Sequence, residues 1–170
     1  MSVSERERRL IGTALRQVIV RRGRINLRAR GYSMFPYIRP GDVCTFISVD
    51  QTRLKRGVIV LYQDRCGRLI AHRLLGCSAD TSGKPHYLAK GDSNRLPDAP
   101  FSLNCLIGVM TAIHADRHPL RLTHLLRRTW CVLILNLPLL SRIVAKYLAV
   151  RCRLFGKGGT PPHDMENVER

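Results

Sequence analysis

The chain has 170 residues, 45% of them apolar and 24% charged. That suffices for one domain with a real core and is too short for two comfortable ones. A formal charge of +17 disfavours cationic partners and favours polyanions, either anionic lipid headgroups or nucleic-acid phosphates.

The charge is unevenly placed. Residues 1–30 hold nine Lys/Arg against two acids, residues 31–116 hold ten against seven, and residues 117–157 hold nine against none. The centre is nearly balanced, and the excess sits on two flanking arms. Six cysteines (Cys44, Cys66, Cys77, Cys105, Cys131, Cys152) form no CxxC pair and no zinc-ribbon spacing. Cys66, His72, Cys77 and His86 are close in sequence, but their intervals match no common metal site, so neither a metal nor a cofactor is expected. The cysteines read as small core residues and carry no information about the redox compartment.

In chain order, residues 1–24 predict an amphipathic helix. Ser4 with Glu7 has the form of a capping box, and Leu10, Ile11, Ala14, Leu15, Val18 and Ile19 fall on one face at helical spacing. Gly23 is a natural stop. Arg6, Arg8, Arg9 and Arg16 exclude an apolar span or a secretory leader. Two roles are open for this helix: lying on a membrane surface, or covering a sheet.

Residues 25–116 read as β structure. Apolar residues Ile25, Leu27 and Ala29 alternate with polar neighbours, and further strands are predicted at 43–49, 58–62, 69–75, 86–90 and 106–113. Turn signals separate them at residues 40–42, 65–67, 82–85 and 97–100. The fold class expected is therefore mainly β: a small curled sheet or partly open barrel, flanked by N- and C-terminal amphipathic helices.

Residues 117–155 predict a basic, membrane-associating segment. Residues 129–141 carry no charge and are rich in Leu and Ile, but as a helix they reach only about 20 Å, short of a hydrocarbon core roughly 30 Å thick. Pro138 breaks the helical ladder. Past it, Ile143, Val144, Tyr147, Leu148 and Val150 continue an apolar face edged by Arg142, Lys146, Arg151 and Arg153. A pair of helices lying among headgroups fits best; a tilted span or a hairpin packed on the protein are the alternatives. Residues 156–170 are Gly, Pro and charge, and are expected to be disordered.

The residues that carry chemistry lie in the centre. Ser33 stands in Gly31-Tyr32-Ser33-Met34-Phe35-Pro36, followed by His72-Arg73 and by Lys90-Gly91-Asp92-Ser93-Asn94 with Asp98. A serine hydroxyl needs a base to become nucleophilic, and a histidine can serve near neutral pH. A carboxylate on the far ring nitrogen holds the right tautomer and steadies the imidazolium. Taken singly, Ser33 reads as a turn residue and Met34 as packing; together they make a constellation.

In order and spacing these segments resemble the boxes of the signal peptidase I family in its Ser-His form. Five elements recur: Ser-Met-x-Pro, Arg56-Gly57-Val58-Ile59-Val60, His72 through Gly76, Lys-Gly-Asp-x-Asn, and Ile107-Gly108-Val109. The likeness spans about residues 25–113. Val58 stands where relatives usually have Asp, and Gly31 where some have a serine oxyanion donor, which leaves the oxyanion to backbone N–H groups such as that of Ser33. The resemblance implies a serine endopeptidase without a cofactor, with Ser33 as nucleophile, His72 as base and Asp98 as its orienting acid. Gly31, Asp92 and Asn94 support them, although Asp92 is an alternative orienting acid.

The function expected is removal of a leader or signal sequence from a peptide or pre-protein through an acyl-enzyme, at a membrane whose side is open. An anionic membrane surface and a membrane partner protein are the expected partners ahead of nucleic acid. Two other readings differ in class. A catalytically silent membrane- or nucleic-acid-binding module would have no need of all three reacting groups. A repressor-type self-processing protein shares the peptidase fold, but residues 1–30 predict one helix and one strand and not a DNA-binding domain.

Overall fold

The structure, a computed structural model, describes residues 3–79, 83–114, 124–155 and 166–167. Helix α1 (Val3–Arg22) leads into β1 (Arg24–Arg28); then come β2 (Val43–Ile47), β3 (Ile59–Gln63), β4 (Leu69–Ala79), β5 (Pro85–Lys90), β6 (Phe101–Ser102) and β7 (Leu106–His114). Helices α2 (His124–Asn136) and α3 (Pro138–Phe155) follow, and the two-residue β8 (Glu166–Asn167) closes the order.

The strands form one curled sheet in the order β6-β5-β4-β3-β7-β2-β1-β8. Every pairing is antiparallel, and the register slips in β2–β7, β3–β7 and β4–β5. Such slips bend strands and raise twist, which is how a short sheet curls. The mainly β class expected from the alternating pattern is what the chain adopts.

Alternation sorts the side chains of β3 and β4 into two cores. Ile59, Leu61, Leu69 and Ala71 face the larger one, with Leu15, Ile19, Leu27, Met34, Ile38 and Phe46. Val60, Tyr62, Ile70 and Leu74 face the other, with Tyr87, Phe101 and Leu106. Tyr62 and Phe101 stack there with centroids 4.0 Å apart.

Helix α1 covers the sheet, contacting β1, β3 and β7. Its buried face is Gly12, Leu15 and Ile19, whereas Leu10, Ile11 and Ala14 are exposed. The apolar stripe predicted for it is therefore too wide: Leu15 and Ile19 are buried and Val18 packs partly buried against the core, while its other members are exposed. The helix begins at Val3, so Ser4 lies inside its first turn and not ahead of it. The stop is where expected, at Gly23, whose φ is +74°.

The strands differ from expectation mainly in length. Strand β4 runs to Ala79, well past residue 75, because β5 pairs with it to its end. Strand β6 was not predicted. The tail expected to be disordered lies mostly outside the described residues, but Glu166 and Asn167 pair with Arg28 and Leu27.

Phe46 is fully buried between α1 and the sheet's larger core. Phe46→Ala should lower unfolding free energy by about 3–5 kcal/mol, read from urea denaturation. Leu10→Ser, at a position 64% exposed, should change it by no more than about 0.5 kcal/mol.

Candidate active site

Ser33 lies in the connection between β1 and β2. Its base is closed by Ala29 N–H donating to Asp42 O (2.7 Å) and Gly41 N–H donating to Ala29 O (2.9 Å), and Asp42 Oδ2 accepts from Arg39 N–H (2.8 Å). Gly31 has φ +89°, a backbone state that side-chain-bearing residues rarely adopt. Met34 points down into the larger core at 3% exposure, with Ile38 at 2% one turn later. The turn is thus anchored from beneath, and Ser33 sits half-buried above it.

The turn after β5 grips this segment. Ser93 N–H donates to Ser33 O (2.9 Å) and Ser93 Oγ to Tyr32 O (2.7 Å). Gly91 is required by the closeness of the two chains: a Cβ there would lie 2.7 Å from Ser33 O and 2.9 Å from the Asn94 amide. Asn94 N–H closes the turn onto Gly91 O (3.0 Å). Gly91 and Asn94 therefore act through backbone approach and packing.

His72 comes from β4, opposite Val60 of β3, and is 3% exposed. Its Nδ1–H donates to Asp98 Oδ2 (2.6 Å). Asp98 is brought back by its own N–H donating to Ala89 O of β5 (2.9 Å). The carboxylate bonded to the imidazole is thus Asp98 and not Asp92. With Nδ1 as donor, Nε2 carries the lone pair and is the basic nitrogen.

Asp92 does something else. Arg73, next to His72 and on the opposite face of β4, donates from Nε to Asp92 Oδ1 (2.8 Å) and from Nη2 to Oδ2 (2.8 Å). Both side chains are nearly inaccessible, at 3% and 1%. Burial works against the Arg73 charge, but the bonds and charge of Asp92 more than offset it, and its pKa rises. Arg73 Nη1 also donates to Gly57 O (2.9 Å), and its guanidinium lies 4.8 Å from the Tyr37 ring centroid.

Three neighbours of these residues make contacts that the sequence reading did not assign. Trp130 of α2 donates from Nε1 to Asp92 Oδ2 (2.8 Å). Lys90 Nζ donates to the buried Ser141 Oγ of α3 (3.0 Å), and burial holds its pKa below the usual lysine range. Tyr62, buried on the His72 face, lies beside Asp98 without completing a hydrogen bond; burial first, and then the Asp98 charge, push its pKa up. The Trp130 contact has no local pattern to announce it, since 38 residues separate the partners. Tyr62 was legible only as a strand residue.

Among the described residues the Ser33 hydroxyl makes no hydrogen bond, and neither does the Ser33 backbone N–H. The structure pairs His72 with Asp98 and holds the Ser33 segment against the Gly91–Ser93 turn, but forms no hydrogen bond between Ser33 and His72 among the described residues. Such a set can activate a hydroxyl and receive an oxyanion. No family model, no curated protein and no solved structure matches the chain.

The two acids should separate cleanly by stability. Asp92→Asn removes the counter-charge of a buried arginine and should cost about 3–5 kcal/mol in urea unfolding. Asp98→Asn, at a partly open position, should cost only about 1 kcal/mol.

Proposed function

We propose that the chain is a serine endopeptidase of the signal peptidase I type, cutting a leader or signal sequence from a peptide or pre-protein. The observation that carries this reading is the 2.6 Å bond between His72 Nδ1–H and Asp98 Oδ2, in a β-sheet whose next turn clamps the Ser33 segment. A carboxylate on Nδ1 holds the imidazole in the tautomer a general base needs.

In the reaction, His72 Nε2 takes the Ser33 Oγ proton as Oγ attacks the scissile carbonyl carbon. The oxygen of that carbonyl becomes an oxyanion and takes the Ser33 N–H as donor. Asp98 holds the proton on Nδ1 and stabilises the imidazolium. The imidazolium then protonates the leaving amine, the C–N bond breaks, and the acyl group stays on Ser33 Oγ. A water activated by the same nitrogen releases the acid and restores the serine. The scheme assigns no proton transfer to Lys90, whose Nζ donates to Ser141 Oγ.

The test is cleavage of a library of peptides carrying small residues before the scissile bond, read by mass spectrometry. Ser33→Ala should lower turnover at least about a thousandfold, and His72→Ala should do the same. Asp98→Asn should lose activity while remaining folded, and Lys90→Ala should keep within about tenfold of the parent. Near-parent turnover of folded Ser33→Ala would remove the assignment. An active His72→Ala beside a dead Lys90→Ala would move the base to the lysine.

A further inference from the structure

Helices α2 and α3 have two apolar faces, and only one is used. The inner face docks on the protein: Ile134, Ser141 and Val144 are buried, Arg56 Nη2 donates to Leu135 O (2.9 Å), and Trp130 reaches Asp92. The outer face is open. Of the fifteen large hydrophobic residues exposed among the described residues, ten lie between Leu125 and Leu154. A scatter of surface leucines needs no explanation, but an ordered stripe does.

On α3 the open residues are Leu139, Ile143, Tyr147, Val150 and Leu154. Steps of four, four, three and four put them on one continuous line along the helix. The same periodicity places exposed Arg142, Lys146 and Arg153 along one border of that line and exposed Arg151 along the other. No acidic residue occurs between residues 117 and 157. The two helices are bent by 106° at Leu137, and no single helix among the described residues is long and apolar enough to cross a membrane.

From this geometry we infer that the outer face of α2–α3 is a docking surface for an anionic lipid bilayer, with the helices lying in the headgroup plane. The apolar line enters the acyl boundary, and the bordering Arg and Lys stems run up its sides to bring their charges to lipid phosphates. A second protein copy does not fit as well, because two such faces would set their basic borders against one another. Tyr147 of the same line stacks on Phe35, centroids 6.1 Å apart, two residues from Ser33. The bilayer therefore lies beside the Ser33 turn; that it serves substrate delivery rests on the peptidase reading, whereas the surface itself does not.

The test is co-sedimentation of the full chain with vesicles of 70:30 phosphatidylcholine and phosphatidylglycerol, and with phosphatidylcholine alone. The parent should pellet with the anionic vesicles and be only partly released by 1 M salt, since screening removes just the electrostatic share. Ile143→Gln/Val150→Gln/Leu154→Gln, all at exposed positions, should weaken partitioning at least about tenfold with unchanged circular dichroism and melting. Arg142→Gln/Lys146→Gln/Arg153→Gln should weaken it on the order of a hundredfold, on the anionic vesicles only. A parent that stays in the supernatant overturns the inference. So does an apolar triple variant that pellets like the parent, a face that instead drives dimerisation by light scattering, or a chain that ignores vesicles and binds a DNA duplex with steep salt dependence. Should the triple variant unfold, Leu133→Gln/Leu139→Gln takes its place and is read the same way.

Discussion

Arg73 is a full charge held at the centre of the molecule, and much of the structure is arranged to neutralise it. An unpaired guanidinium there would cost several kcal/mol. Asp92 meets it with two parallel bonds, Gly57 O takes a third, and Tyr37 lies under its plane. Trp130 then takes up the remaining capacity of Asp92 Oδ2. The strand β4, the turn after β5, the loop before β3, the segment after Ser33 and helix α2 are joined at one ion pair. Because neighbours on a strand point to opposite faces, fixing Arg73 also fixes which way His72 points, and Asp98 is waiting on that side.

This division of labour explains why the chain carries two acids six residues apart. Asp92 is spent on architecture and Asp98 on the imidazole. Exchanging their roles would require β4 to shift by one residue, which would turn every side chain of that strand to the wrong core. The register slip between β4 and β5, between Leu74 and Gly76, lies just beyond the site and leaves the Arg73–Lys90 pairing undisturbed.

The curled sheet was legible because alternation and turn residues are local signals. Leu27 between Asn26 and Arg28, and Pro40-Gly41-Asp42 after the serine turn, each specify their own backbone. The pairing of His72 with Asp98 was preferred only through the family resemblance, with Asp92 left open as the alternative, because two acids six residues apart look alike in sequence. What escaped depends on partners far away in sequence: the reach of β4 to Ala79, the two residues of β6, and the indole of Trp130 on Asp92. The stripe on α1 was read too broadly for the same reason, since periodicity says which residues share a face but not how much of that face the sheet covers. The C-terminal helices show the reverse limit: their inner and outer faces are both apolar, so periodicity could not say which one the protein itself would use.

The central claim is that the His72–Asp98 pair activates Ser33 for acyl transfer. The most direct measurement is to mix the protein with a reactive ester of a small-residue peptide, quench with acid and map the adduct by tandem mass spectrometry. The account predicts an acyl group on Ser33, absent from Ser33→Ala and strongly reduced in Asp98→Asn while that variant stays folded. Acylation at another residue, or undiminished acylation of Asp98→Asn, would contradict it.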